Sequence, residues 1–169
     1  MSVNNVKGEN NSIDWDSVNK RTKKFSLEGE KKLAKCVHVY DGDTIQVVFP
    51  LQNELYRWSC RLSGVDTPEL RTKNLVEKKF GYVVRDKLRE KIMNKMVIVH
   101  CEEFDKYGRL LGRIYLENEM IGGAEGAEGS GAGEGGLCVN DWLIQNKYAF
   151  KYDGGTKNDW SSYLASLEN

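Results

Sequence analysis

The chain has 169 residues, with 25 basic and 25 acidic side chains and therefore no formal net charge. This length suits one domain that buries a core without disulfide bonds, and the charge balance gives no argument for or against a polyanionic partner. No segment approaches the roughly 20 apolar residues of a membrane helix, and the polar start MSVNNVKGENNSIDWD lacks the apolar stretch of a signal peptide. We therefore expect a monomeric, intracellular and cytoplasmic protein with no membrane partner.

The first part of the chain predicts a polar arm followed by paired strands. Residues 1–30 are polar and predict a flexible arm ahead of a domain at residues 31–169. Alternating apolar residues predict strands over residues 31–40 and 44–49, joined by the hairpin signal Asp41-Gly42. The inward-facing side chains expected in the first strand are Leu33, Val37 and Val39.

The middle of the chain predicts a third strand, one long helix and two further strands. The third strand spans residues 55–65 and directs Arg61 away from the core. Apolar residues then recur at every fourth position, which indicates an amphipathic helix. They are Phe80, Val84, Leu88, Ile92 and Met96. Strands over residues 97–104 and 110–117 follow. Five strands with a long helix between the third and fourth suit a small closed barrel.

The last part of the chain combines a glycine-rich insert with two shorter helices. Residues 118–136 are rich in Gly and Glu and predict a flexible insert. Apolar spacing predicts a helix over residues 139–147 and another that begins near Trp160, with Thr156 or Asn158 as its N-cap. The four cysteines lack any CxxC spacing, so we expect reduced, buried thiols.

Three turns that follow predicted strands concentrate charged side chains. They are residues 41–44 (DGDT), 61–69 (RLSGVDTPE) and 105–109 (DKYGR). Asp43, Asp66 and the Thr67 carbonyl are hard oxygen ligands that suit calcium or magnesium. Two arginines from different turns suit a phosphodiester transition state, because each guanidinium matches phosphate oxygens and stays charged. Glu69 is in a position to polarise an attacking water.

Each turn also has a simpler explanation when it is considered alone. The DGDT segment is most often an ordinary hairpin turn, and DTPE is a common entry into a helix with an acidic first turn. The DKYGR segment is typical of a solvated hairpin. Only the combination of the three turns points to a shared site.

The three turns, in this order and at these distances, resemble the thermonuclease family of staphylococcal nuclease-like domains. The resemblance covers about Lys35 to Trp160 and includes residues 77–81 and Val139-Asn140. It implies a mainly β, α+β fold, namely a five-stranded OB-fold barrel with three helices. This fold agrees with the element order deduced from the residues alone.

The resemblance also implies a role for individual residues. Asp43, Asp66 and the main-chain oxygen of Thr67 correspond to the calcium ligands. Glu69 corresponds to the residue that orients the attacking water, and Arg61 and Arg109 to the pair that grips the scissile phosphate. Lys106 and Tyr107 match positions that hold a neighbouring phosphate, and Tyr152 matches an aromatic that stacks on a base.

The implied function is a calcium-dependent endonuclease that hydrolyses DNA and RNA. It would prefer single-stranded or melted substrate and leave 3′-phosphate products. The alternative is a catalytically weak OB-fold module that binds nucleic acid or acts as a scaffold, since this fold supports both roles.

Overall fold

The computed structural model describes residues 14–117, 136–155 and 159–167. The strands are β1 (Lys31–Val39), β2 (Thr44–Leu51), β3 (Glu54–Leu62), β4 (Val65–Asp66), β5 (Met96–Phe104), β6 (Leu110–Leu116), β7 (Leu137–Cys138) and β8 (Phe150–Lys151). The helices are α1 (Leu75–Ile92), α2 (Val139–Gln145) and α3 (Trp160–Leu167), preceded by a short 3-10 helix at Trp15–Ser17. The predicted insert, apart from Gly136, and the predicted caps Thr156 and Asn158 lie outside the described residues.

Five strands close into a barrel, which confirms the predicted OB-type fold. The main sheet has the order β3-β2-β1-β5-β6, and β3 also pairs in parallel with β6. That parallel ladder joins Cys60 to Leu110, Arg61 to Leu111 and Leu62 to Gly112. The short strand β7 pairs antiparallel with the end of β6, at Tyr115 and Leu116, and β4 pairs separately with β8. Three helices lie around this barrel, as the resemblance implies.

The first strand contains a bulge that the simple alternating pattern did not predict. Leu33 is 56% exposed, so its predicted inward orientation was wrong, while Ala34 and Cys36 are fully buried. The register with β2 shifts between Cys36 and His38, which inserts one extra residue and returns Val39 to the core. A bulge changes which residues of the strand face the core, so a single inward–outward alternation cannot describe the residues on both sides of it.

The predicted strand over residues 55–65 is divided by a turn. β3 ends at Leu62, the turn residues Ser63 and Gly64 follow, and the chain continues as β4. The even-numbered residues Cys60 and Leu62 are buried before the turn, and the odd-numbered Val65 is buried after it. Gly64 has a φ of +72°, which a residue with a side chain rarely adopts. The Ser63 amide still donates to the Gly112 carbonyl at 3.0 Å, so the turn remains attached to β6.

The long helix α1 begins at a side-chain cap and ends before the last predicted apolar position. The Asn74 carboxamide oxygen accepts hydrogen bonds from the amides of Val76 and Glu77, which satisfies two unpaired donors of the first turn. The buried stripe is Gly81, Val84, Leu88 and Ile92. Met96 belongs to β5 and is 52% exposed, so its predicted place on the helix was wrong. The fourfold spacing continued by coincidence past the end of the helix.

The core includes residues at the edge of the predicted domain. Leu27 is 1% exposed and belongs to the core, four residues ahead of the predicted domain start. The Gly29 amide donates to the Cys101 carbonyl at 2.9 Å, which attaches this segment to β5. None of the four cysteines is in a disulfide bond; Cys36, Cys60 and Cys101 are buried as predicted, whereas Cys138 is only half-buried. No helix in the described ranges combines the length and apolar character needed to cross a membrane.

A single buried amide fastens α2 to the barrel. Asn140 is fully buried, and its side-chain oxygen accepts from the Ile114 amide at 3.0 Å. Its side-chain nitrogen donates to the carbonyls of Ser63 at 2.8 Å and Gly112 at 3.2 Å. One carboxamide thus satisfies three main-chain groups of β6 and of the turn after β3. This turn leads directly into β4, so Asn140 supports the segment that carries Asp66.

We expect the substitution Asn140→Ala to lower the free energy of unfolding by roughly 2 to 4 kcal/mol, because it leaves buried main-chain groups without partners. Chemical denaturation measures the change. Asn146→Ala is the matched control, since that exposed amide makes one bond to the Trp142 carbonyl and should change stability by less than about 0.5 kcal/mol. Equal stability of the two variants would contradict the role assigned to Asn140.

Candidate active site

The turn between β1 and β2 is held rigid by its own carboxylates. One oxygen of Asp41 accepts from the amides of Asp43 at 3.1 Å and Thr44 at 2.7 Å. The Thr44 hydroxyl donates to Asp43 at 2.9 Å, and the Asp43 carbonyl accepts from the Leu62 amide at 2.8 Å. The turn is therefore tied to β3, and the Asp43 carboxylate has a fixed direction.

Gly42 allows this turn to approach the segment after β4. A Cβ atom at position 42 would lie 2.8 Å from the Cβ of Thr67 and 2.9 Å from a methyl group of Val84. Such distances are shorter than carbon–carbon contact, so only glycine fits without displacement. This close approach brings the turn that holds Asp43 against the turn that holds Asp66 and Thr67.

Arg61 connects the two turns electrostatically. Its guanidinium forms an ion pair with Asp43, and a second nitrogen donates to the Val65 carbonyl at 3.4 Å. Burial alone would lower the pKa of Arg61, but the carboxylates of Asp43, Asp41 and Asp66 raise it above its ordinary value. The charge of Arg61 therefore interacts favourably with three carboxylates, of which only Asp43 forms an ion pair with it.

Asp41 is the member of this acidic group that the sequence did not single out. Burial, together with the neighbouring charge of Asp43, raises the pKa of Asp41 to about 6. Asp66 is 1% exposed and lies within electrostatic range of Arg61. The repeated acid in the DGD pattern was the available signal. Its second role, as the cap that fixes the turn, is visible only in the fold.

The oxygen atoms of Asp43, Asp66 and Thr67 are the candidate ligands for a hard cation. Within the described ranges, no cluster of three or more His, Cys, Asp or Glu side chains is arranged to hold a metal ion. Two buried carboxylates, Asp43 and Asp66, and the nearby main chain of Thr67 supply oxygen only, which favours calcium or magnesium over softer metals.

Glu69 lies at the exposed end of the second of the three turns, residues 61–69. Pro68 is buried and Glu69 is exposed, so the chain leaves the core at this point. The Glu69 amide donates to the side chain of Glu77 at 3.0 Å, which ties the turn to α1. Gly81 makes this contact possible, because a Cβ there would lie 3.0 Å from the Pro68 carbonyl oxygen. The Glu69 carboxylate is thus accessible to water and held on a fixed main chain.

The third turn is organised by Asp105, whose role the sequence did not reveal. Its carboxylate accepts from the amides of Tyr107 at 2.8 Å and Arg109 at 2.9 Å, and from the Arg109 guanidinium at 2.7 Å. Burial opposes these bonds, but together they lower the pKa of Asp105 below its usual value. Gly108 has a φ of +78°, which completes the turn. Lys106 and Arg109 both lie against the exposed ring of Tyr107.

The parallel ladder between β3 and β6 brings the two arginines to the same end of the barrel. Arg61 pairs with Leu111, and paired residues of parallel strands face the same side of a sheet. Arg109 directly precedes Leu110, which pairs with Cys60, so the turn that carries Arg109 enters β6 beside the end of β3. The end of β3 also lies beside the start of β2, where Thr44 pairs with Arg61. Asp43, Arg61 and Arg109 are therefore at the same end of the barrel.

Tyr152 lies beside the second turn but makes its polar contacts elsewhere. Its amide donates to the Gly64 carbonyl at 3.0 Å, in line with the pairing of β4 and β8. Its hydroxyl donates to the Gly155 carbonyl at 3.0 Å. Asp66 pairs with Phe150, and Tyr152 lies two residues beyond Phe150. The predicted contact of Tyr152 with a base stays a prediction.

Comparison with known proteins gives one family and several relatives. A family model described as staphylococcal nuclease homologue matches residues 59–164. The chain is 35% identical to a thermonuclease of Staphylococcus intermedius, over 56% of this chain and 54% of the relative. It is 33% identical to a thermonuclease of Staphylococcus hyicus, over 52% and 50% respectively. An uncharacterized protein of Methanocaldococcus jannaschii is 34% identical, over 53% and 51%. The chain thus spans about half the length of these relatives.

We expect Gly42→Ala to separate the first and second turns, because the added methyl group overlaps Thr67. The substitution should destabilise the fold by about 1 to 3 kcal/mol. Calcium should protect the variant less than the natural protein in thermal unfolding. Gly155→Ala is the control, since its Cβ would meet Asp153 at an ordinary 3.5 Å. Full calcium protection of Gly42→Ala would show that the approach of the turns does not build the cation site.

Proposed function

This chain belongs to the staphylococcal nuclease homologue family, and on that basis we propose that it is a calcium-dependent nuclease that hydrolyses phosphodiester bonds of DNA and RNA. The observation that carries the proposal is the ion pair between Asp43 and Arg61 beside the buried carboxylate of Asp66. It combines oxygen donors for a hard cation with a guanidinium that suits a phosphate.

The proposed roles follow the chemistry of each side chain. Asp43, Asp66 and the Thr67 main-chain oxygen would hold Ca²⁺, which supplies positive charge opposite the phosphoryl oxygens. The guanidinium groups of Arg61 and Arg109 donate to the oxygens on which negative charge increases as the reaction proceeds. Their fork geometry and permanent charge suit this task better than a lysine would.

Glu69 completes the proposed reaction by orienting water. Its exposed carboxylate accepts a proton from a water molecule as the water oxygen bonds to phosphorus. The bond from phosphorus to the 5′ oxygen breaks, and Arg109 stabilises the charge that collects on that oxygen. The products are a 3′-phosphate on one fragment and, after protonation, a 5′-hydroxyl on the other.

An exposed aromatic surface supports a preference for single-stranded or melted substrate. Tyr107 is 72% exposed, and Lys106 lies 5.1 Å from its ring centroid. Bases stack on such rings only when they are released from a duplex, and the neighbouring ammonium group suits a phosphate. We propose that the protein acts as a monomer and cleaves such strands at internal bonds. Tyr152 would be a further contact for a base.

A calcium-titrated assay tests the proposed function directly. Labelled single-stranded DNA and RNA of the same sequence are incubated with calcium or with a chelator, next to the corresponding duplexes. We expect calcium-dependent shortening of the single strands and 3′-phosphate ends, detected by mass spectrometry. Binding of the strands without loss of full length under any calcium concentration would favour a nucleic-acid-binding module instead.

Removal of either arginine should slow hydrolysis strongly. We expect Arg61→Ala and Arg109→Ala each to reduce kcat by about 10² to 10³, as the loss of one preorganised donor does. Because Arg61 is largely buried, Arg61→Lys accompanies it to retain the charge, and thermal unfolding confirms that each variant is folded. Arg57→Ala is the control on the same face of β3 and should retain almost full kcat. Near-normal rates for both arginine variants would refute the assignment.

A further inference from the structure

An exposed tyrosine and an arginine meet beside the first turn and have no part in the proposed chemistry. Tyr40 follows β1 directly, is 44% exposed and precedes the buried acid Asp41. The Arg71 guanidinium donates to the Tyr40 hydroxyl, and its central carbon lies 5.6 Å from the ring centroid. Arg71 itself is exposed and follows Glu69 by two residues. This pair therefore bridges the first and second turns at the surface.

The pair has the same composition as the one in the third turn. There the Arg109 guanidinium carbon lies 5.5 Å from the ring centroid of the exposed Tyr107. Each site offers a flat ring for a base and a guanidinium for a phosphate. Arg71 uses one donor nitrogen on Tyr40, and a guanidinium has five N–H groups, so donors are left for a ligand.

Strand order places the two pairs on opposite sides of the proposed reaction centre. Around the barrel, β1 is followed by β2, β3 and β6. Tyr40 lies at the turn between β1 and β2, Arg61 lies at the end of β3, and Tyr107 lies in the turn before β6. A strand bound along this rim would meet Tyr40 on one side of Arg61 and Tyr107 on the other.

We propose that Tyr40 and Arg71 form a second nucleotide subsite, which binds the nucleotide on the side of the scissile phosphate away from Tyr107. The base stacks on the Tyr40 ring, and the Arg71 guanidinium donates to the adjoining phosphate. This inference rests on the proposed nuclease function. Two subsites that flank the scissile bond would favour internal bonds over terminal ones. A terminal bond has a nucleotide on only one side to occupy a subsite.

Oligonucleotides extended on one side of a single cleavable bond test the subsite. Each substrate has one natural phosphodiester, and phosphorothioate links protect the remaining positions while they retain the charge. The series lengthens by one nucleotide either 5′ or 3′ of the cleavable bond. The kcat/KM of the natural protein is compared with that of Tyr40→Leu, Tyr40→Phe, Arg71→Gln and Tyr107→Leu.

We expect extension on one side to raise kcat/KM of the natural protein, and Tyr40→Leu to remove roughly 5- to 100-fold of that gain, the range typical of a base–aromatic stack. Tyr107→Leu should remove the gain on the other side. Tyr40→Phe retains the ring and should lose less, and Arg71→Gln should weaken binding on the same side as Tyr40→Leu. A loss in Tyr40→Leu that is equal for every substrate would overturn the subsite and assign Tyr40 to holding the Glu69 turn.

A matched control separates this effect from general surface changes. Tyr82 on α1 is 39% exposed, and the Arg85 guanidinium carbon lies 4.7 Å from its ring centroid, so it is chemically similar to Tyr40. Tyr82→Leu should leave the gain on both sides unchanged, and an equal loss in Tyr82→Leu would also overturn the proposal.

If the natural protein with calcium cleaves no substrate, the proposed function fails. Cleavage without side-specific loss refutes the subsite alone.

Discussion

The candidate site depends on one largely buried guanidinium, that of Arg61, which pairs with Asp43 and interacts electrostatically with Asp41 and Asp66. Arg61 is 16% exposed and Asp43 is 9% exposed, so neither charge is well hydrated and each needs the other. Breaking a buried ion pair by removing one partner costs about 3 to 5 kcal/mol, because the remaining charge loses its compensation. Asp41 and Asp66 add negative charge that Arg61 alone does not neutralise. The charge of Arg61 therefore offsets part of the repulsion among these carboxylates, and loss of Arg61 would leave it uncompensated.

The local part of this arrangement was predictable from the sequence, whereas the long-range part was not. Strand periodicity and turn signals depend only on residues that are close in the sequence. They therefore predict the strands of the barrel and the outward direction of Arg61. The bulge after Cys36 and the break at Gly64 depend on partners in β2 and β6, which no local pattern contains. Gly42 shows the same limit. The sequence indicates a turn there, but only the contact with Thr67 explains why the turn excludes a side chain.

The family match and the geometry contribute different parts of the site. The matching region begins at residue 59 and includes Arg61, Asp66 and Arg109 but not Asp43. Asp43 joins them through its ion pair with Arg61 and through the pairing of Thr44 with Arg61 across β2 and β3. The fold therefore connects the first turn to the matched region by direct contacts. Asp41 also lies outside the matched region, and its carboxylate orders the first turn by accepting hydrogen bonds from main-chain amides, as Asp105 does inside the matched region.

Barrel closure and site assembly use the same contacts, so stability and the proposed activity should be difficult to separate. The parallel ladder that closes the barrel at Cys60, Arg61 and Leu62 also brings the start of β6, next to Arg109, beside the end of β3. Asn140 holds the turn after β3 to β6 and so supports both. The nucleic-acid strand that we propose would cross β2, β3 and β6, which are neighbours in the barrel. In that proposal the order of the strands, more than any one side chain, would set the direction of the bound strand.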